Sequence, residues 1–139
     1  MKIKEWMTSD VVSVSPDTSV KQAFMLMKKH GYRHLPVVRG DKLVGFVADR
    51  DLRRPEISDI FKEWNDLYRL SDEIHVEDVM RTDVMSVTPE TDLVAGAAIL
   101  VDKKIGALPV VKPGYNKKLV GIITIHDFLK ALVKCIRKP

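Results

Sequence analysis

The chain has a single cysteine, Cys135, among 139 residues, so no internal disulfide can form and a reducing, cytoplasmic compartment is expected. Long apolar runs are missing as well. Nothing approaches the ~20 residues that a membrane-crossing helix needs, and the start, MKIKEWMTSD, lacks the apolar stretch of a secretory signal. There is no G-x-x-x-x-G-K-[ST] loop, which leaves nucleotide hydrolysis without visible machinery. Neither sign of charge dominates: 23 basic and 19 acidic residues give +4, with a basic end at KCIRKP. So small an excess suits a positive cleft for a small anion, or plain solubility; a nucleic-acid surface should be more concentrated. What is present, 45% apolar and 30% charged residues, is a globular balance. The length suits one compact domain or two small units.

The chain also repeats itself. A shift of 73 positions (80 minus 7) lays VEDVMRTDVMSVTPETDL, from Val76, over IKEWMTSDVVSVSPDTSV, from Ile3. Met7, Asp10, Val11, Ser13, Val14, Pro16 and Thr18 then meet identical residues, and GYRHLPVV (31–38) falls on KIGALPVV (104–111). After a three-residue insertion, KLVGFVADRDL (42–52) lies over KLVGIITIHDF (118–128). A match in order over about fifty residues per copy identifies a duplicated module.

Each copy reads as strand, helix, strand, strand, helix. VVSVS and VMSVT are β-branched runs that stop at Pro16 and Pro89, which predicts a strand in each copy. Ser19, three residues before Gln22, has the spacing of a helix cap, and Asp92 can cap the second copy. Helical spacing then places Val20, Ala23, Phe24 and Met27 on one face, and Leu93, Ala97, Leu100 and Val101 on another, with Gly31 ending the first helix. LPVV reads as a buried strand. RGDK and KPGYNKK carry turn residues before the returning strands LVGFVA and LVGIIT. A last helix, HDFLKALVKCI, sets Phe128, Leu129, Leu132, Val133 and Ile136 on one face. Between the copies, Ile57, Ile60, Phe61, Trp64, Leu67 and Tyr68 predict an extra helix over 55–70, which either covers the core or meets a partner.

These features resemble the tandem cystathionine-β-synthase (CBS) domain pair, or Bateman module. The carriers are the IKEWM and VEDVM lead-ins, the S-V-x-P-x-T strand ends, LPVV, and a glycine–apolar–apolar signature ending in aspartate. That signature stands as Gly45-Phe46-Val47-Ala48-Asp49-Arg50-Asp51 and as Gly121-Ile122-Ile123-Thr124-Ile125-His126-Asp127. The resemblance covers nearly the whole chain: repeat 1 over 1–54, a linker over 55–75 and repeat 2 over 76–139. It implies an α/β (α+β) fold of two β-α-β-β-α repeats packed around a pseudo-twofold axis. It also implies clefts between the repeats that take AMP, ADP, ATP or S-adenosylmethionine. No cofactor is required and no catalysis is implied. The chain is similar to stand-alone prokaryotic members, in which the module acts as a sensor.

The signature has a physical reading. An aspartate opening a helix can accept hydrogen bonds from ribose hydroxyls, and a threonine three residues earlier can offer a hydroxyl to phosphate beside the free N–H groups of the helix start. Asp127 and Thr124, with His126 between them, match this pattern; Asp51 matches, but Ala48 stands where the hydroxyl should be. Plain N-capping is the alternative for either aspartate. The resemblance implies that Arg33 and His34, where the second copy has Gly106 and Ala107, point at ligand phosphates. Arg33 would grip them by its planar fork, and His34 would donate or carry charge at mildly acidic pH. The alternative for Arg33 is a surface ion pair. Val12 is assigned to adenine in the Asp127 cleft and Met85 in the Asp51 cleft, or both are core residues.

Other chemistry has little support: His30 and His34 are separated by the helix-ending Gly31, without nearby carboxylate or thiol ligands. Three functions are weighed: an adenine-nucleotide sensor, a constitutive dimerisation or scaffold module with degenerate clefts, and a nucleic-acid-binding regulator using Lys103, Lys104, Lys117 and Lys118. A homodimer and an unidentified client protein are the expected macromolecular partners, and the Asp127 cleft the tighter site.

Overall fold

The computed structural model describes residues 1–53 and 74–137; the helix expected over 55–70 lies outside them. Among the described residues are three helices and four strands. In chain order they are α1 (Val20–His30), β1 (His34–Arg39), β2 (Lys42–Ala48), α2 (Leu93–Lys103), β3 (Ala107–Lys112), β4 (Lys118–Thr124) and α3 (Ile125–Arg137). Short 3-10 turns lie at Ile3–Glu5, Asp49–Arg53 and Val76–Asp78. This is the mixed helix and antiparallel-sheet class expected.

Two compact units form, and they are cut differently from the sequence repeats. One is Val12–Val84; the other joins Met1–Val11 to Met85–Pro139. Each repeat's lead-in thus folds with the other repeat's body. In the second unit Ile3 donates its N–H to the Thr91 carbonyl at 2.9 Å, and in the first unit Val76 donates to that of Thr18 at 2.7 Å. Both lead-ins make a tight turn in which an acid takes a backbone N–H three residues back, Glu5 from Lys2 and Asp78 from His75. Ile3 and Val76, both fully buried, anchor the lead-ins in their respective cores. Burying such a side chain stabilises by about 1.5–3 kcal/mol.

The helices start and stop where their caps predict. Ser19 accepts the Gln22 N–H at 3.1 Å, and Gly31 ends α1 at φ 70°, a left-handed conformation that costs glycine nothing. Asp92 accepts the Val94 N–H at 3.2 Å, and α2 ends on Lys104 at φ 54°, a non-glycine residue in that same region. The buried face of α2 is Leu93, Gly96 and Leu100, and Val101 at the margin of the apolar face is exposed.

β1 and β2 form an antiparallel hairpin from His34↔Ala48 to Arg39↔Lys42, and β3 and β4 repeat it from Ala107↔Thr124 to Lys112↔Lys118. The strands expected at VVSVS and VMSVT shrink to one parallel bridge each, Val14↔Val37 and Val87↔Val110. Proline explains why. Val14 donates to the Pro36 carbonyl and accepts from Val38. Extending the ladder one step either way needs an N–H at Pro36 or at Pro16, and proline has none. Pro109 and Pro89 stop the other copy in the same way.

The glycine that opens each signature has a steric reason. A Cβ on Gly45 would sit 2.5 Å from Met80 Sδ and 3.1 Å from the Arg81 carbonyl; on Gly121 it would sit 2.8 Å from Met7 Sδ and 3.0 Å from the Thr8 carbonyl. The returning strand and the lead-in can therefore meet only where the strand has no side chain. Those contacts bring residues 8 and 81 beside the two signatures.

Candidate functional site

The β4–α3 turn positions Asp127. Thr124 closes β4 opposite Ala107, and Ile125 starts α3 with its N–H donated to the Gly106 carbonyl at 3.0 Å. Asp127 thereby falls in the first helical turn, where the positive end of the helix favours a carboxylate. Its Oδ2 accepts the Thr124 N–H at 2.9 Å and the Thr124 hydroxyl at 3.3 Å. The residue is 8% exposed, and Oδ1 has no hydrogen-bond partner among the described residues. Capping and ligand binding are therefore compatible: one oxygen holds the turn while the other stays open. The Thr124 hydroxyl, expected at a phosphate, is turned onto Asp127 instead. At 3.3 Å that bond is long for O–H···O and weak.

The β2 turn repeats this geometry with a different outcome. Asp49 donates its N–H to the Arg33 carbonyl at 2.9 Å, matching the Ile125–Gly106 bond. Asp51 Oδ2 accepts the Ala48 N–H at 2.7 Å. Its Oδ1, however, accepts from Arg81 Nε at 3.1 Å, and the residue is only 1% exposed. Arg81 is held there by a reciprocal pair of 2.9 Å backbone bonds with Phe46. In the other unit Thr8 makes the same two 2.9 Å bonds with Ile122. Arg81 and Thr8 thus occupy equivalent positions, but only the arginine is long enough to take the aspartate.

Sequence reasoning missed Arg81. The signal was available in the repeat alignment, where MTSDV lies over MRTDV and a cation replaces a hydroxyl between two otherwise matched residues.

The other expected residues divide between the units. Arg33 is exposed, next to the Asp49–Arg53 turn through its carbonyl. His34 pairs with Ala48 across the hairpin and stacks on Phe46, with centroids 5.7 Å apart. Burial pushes its pKa below the ordinary imidazole value, against the nearby charge of Asp49. Desolvation therefore disfavours the charged form of the ring relative to a free imidazole. Val12 is half-buried against the core of its own unit, and Met85 is exposed in the other. His126 is exposed on the first turn of α3. His30 stacks on Tyr32, and no group of three potential metal ligands occurs among the described residues.

A separate concavity of about 820 Å³ lies between α2 and α3, lined by Val94, Ala97, Val101, Phe128, Leu129 and Leu132 among others. Neither Asp127 nor Thr124 lines it. Of the apolar α3 face, Phe128 is half-buried, while Leu129, Leu132, Val133 and Ile136 are exposed. Ala131 and Asp127 take the buried positions. No helix among the described residues is long and apolar enough to cross a membrane.

Comparison with known proteins places these turns in a wider set. The model of the CBS domain matches residues 3–56 and 76–134. An inosine-5'-monophosphate dehydrogenase of Korarchaeum cryptofilum is 33% identical over 126 residues, 91% of this chain and 23% of that protein. The CBS domain-containing protein YhcV of Bacillus subtilis is 29% identical over 125 residues, 90% of this chain and 81% of that protein. Among solved structures, CBSX2 in complex with AMP superposes with a TM-score of 0.81 at 30% identity, over 98% of this chain and 99% of that one. CBSX2 is a protein of Arabidopsis thaliana. The chain spans only 23% to 46% of the length of several relatives, two dehydrogenases and two Methanocaldococcus jannaschii proteins among them.

Proposed function

The chain belongs to the CBS-domain family, and on that premise we propose that it is a non-catalytic regulatory module that binds an adenine nucleotide at the Asp127 turn. The observation that carries this reading is the divided use of the Asp127 carboxylate, with Oδ2 spent on Thr124 and Oδ1 open at the start of α3. An open, charged acceptor beside a helix start suits a ribose hydroxyl and the phosphate that follows it. Thr124 can release its weak bond to Asp127 and turn to phosphate, and His126 flanks the same turn. Arg33 is the side chain we assign to phosphate, with His34 as a donor beside it. Val12 is the side chain we assign to adenine there, Met85 being assigned to the Asp51 turn. The AMP held by CBSX2, 30% identical to this chain, supports AMP as the first probe.

Thermal-shift titration with AMP, ADP, ATP and S-adenosylmethionine tests the reading. A ligand at one hundred times its dissociation constant stabilises by about 2.7 kcal/mol, a readily measured rise in Tm. No shift with any of the four at millimolar concentration removes the sensor reading and leaves the scaffold one.

The apolar groove favours a second property. Val94 and Val101 on α2 are each 75% exposed, and Ile136 on α3 is 73% exposed. We assign this face to a second copy of the chain, so that the module is a homodimer. A client protein competing for the same face is the alternative outcome. Light scattering at micromolar concentration should return twice the chain mass.

A further inference from the structure

We propose that Arg81 is a built-in lock on the Asp51 turn. Its guanidinium occupies the carboxylate oxygen that a ribose would need, and so it limits the chain to one adenine-nucleotide site. The inference rests on the adenine-nucleotide reading above and deepens it by naming the residue that makes the two copies unequal.

The geometry carries it. In both turns one aspartate oxygen, Oδ2, is used by the backbone N–H three residues earlier. The turns differ at the second oxygen. Asp127 Oδ1 is open, whereas Asp51 Oδ1 accepts from Arg81 Nε at 3.1 Å and its side chain is almost wholly enclosed, 2% exposed. The arginine arrives with its backbone fixed by two bonds to Phe46. A charge-assisted bond between fixed partners is among the stronger hydrogen bonds a protein makes. A ribose hydroxyl would have to displace a full positive charge from a buried carboxylate, offering a neutral donor in exchange. Removing the cation from a buried carboxylate is costly, so that exchange is unfavourable. Threonine at the equivalent position 8 imposes no such competition, since its side chain makes no bond to Asp127.

The test uses calorimetry with AMP on the full chain. Asp127→Ala isolates the Asp51 turn, where weak or absent binding is expected. Adding Arg81→Thr, the residue that the other copy carries, should raise AMP affinity by at least about tenfold, the worth of one charge-assisted hydrogen bond. Asp51→Ala on top should abolish the gain. In the otherwise unchanged chain, Arg81→Thr should move the stoichiometry from one AMP to two. If Arg81→Thr unfolds because Asp51 loses the Arg81 guanidinium, Arg81→Gln keeps a neutral donor, and the same direction of change is expected. A parent that binds one AMP while Arg81→Thr and Arg81→Gln add none overturns the lock alone. Weaker binding on removing Arg81 also overturns it, by making the guanidinium a ligand contact. If neither the parent nor either Arg81 variant binds AMP, the lock and the nucleotide reading fall together.

Discussion

Replacing Asp127 separates its two uses, because each carboxylate oxygen has its own task. Asp127→Ala removes both. The open Oδ1 should accept at least one charge-assisted hydrogen bond from ribose, worth about 1.5–3 kcal/mol, so AMP affinity should fall roughly 10- to 150-fold. The same change strips Oδ2 from the Thr124 N–H, a 2.9 Å bond at the start of α3. Losing such a cap costs about 0.5–2 kcal/mol of stability. Asp127→Asn divides the effects: its amide oxygen can still cap Thr124, so stability should stay near that of the parent, while the lost charge still weakens binding. Calorimetry with AMP and urea unfolding on the three proteins supply both numbers. Parent-like AMP affinity in Asp127→Ala would refute the reasoning, and so would an Asp127→Asn protein that binds as tightly as the parent.

Gly121→Ala should destabilise by about 1–3 kcal/mol in urea unfolding, because its Cβ would meet Met7 Sδ at 2.8 Å and the Thr8 carbonyl at 3.0 Å; a neutral result would mean that the lead-in does not lie against β4. His34 carries a pKa lowered by burial, so the unfolded chain binds its proton more readily than the folded one, and stability should fall as pH drops below the ordinary imidazole value of about 6.5. Comparing urea midpoints at neutral and mildly acidic pH should show part of that loss gone in His34→Gln; an equal loss would assign it to other groups. Ile136→Glu, placed on the exposed face of α3, should shift light scattering from dimer to monomer without lowering monomer stability; a variant that remains dimeric places the interface elsewhere.

Much of the fold was legible because duplication supplies its own alignment. The caps at Ser19, Asp92 and Gly31 depend on residues close in sequence, and they fall where expected. The exchange of lead-ins was not legible. Ile3 meets Thr91, and Val76 meets Thr18, through bonds spanning tens of residues, and the shift that aligns the copies is blind to which body each lead-in joins. The strand at VVSVS failed for a reason written in the sequence: prolines at 16 and 36 remove the donors its ladder needs, but only once its partner strand is known. On α3, helical periodicity found an apolar face without revealing that Ala131, rather than Leu132 or Ile136, points to the core. The aspartates were found from the signature, while the partner that distinguishes them was not. Arg81 lies thirty positions from Asp51, and only the folded chain brings the two together.

Two differences between the copies act in one direction at the Asp51 turn. Ala48 and Arg81 both belong to the unit Val12–Val84. Ala48 takes away a hydroxyl, and Arg81 adds a cation that bonds the carboxylate. A buried carboxylate needs such a partner, since an enclosed charge without one is expensive. Asp51, at 1% exposure, obtains it from Arg81; Asp127, at 8%, has no cation bonded to Oδ1 among the described residues. On the nucleotide reading proposed above, folding at Asp51 and binding at Asp127 draw on the equivalent oxygen. Where the chain satisfies that oxygen itself, the turn gains an internal bond and loses an acceptor, and where it does not, the acceptor remains for a ligand. Two turns built alike from one duplicated signature can in this way part in function through a single residue outside the signature, supplied to the first repeat's turn by the lead-in of the second.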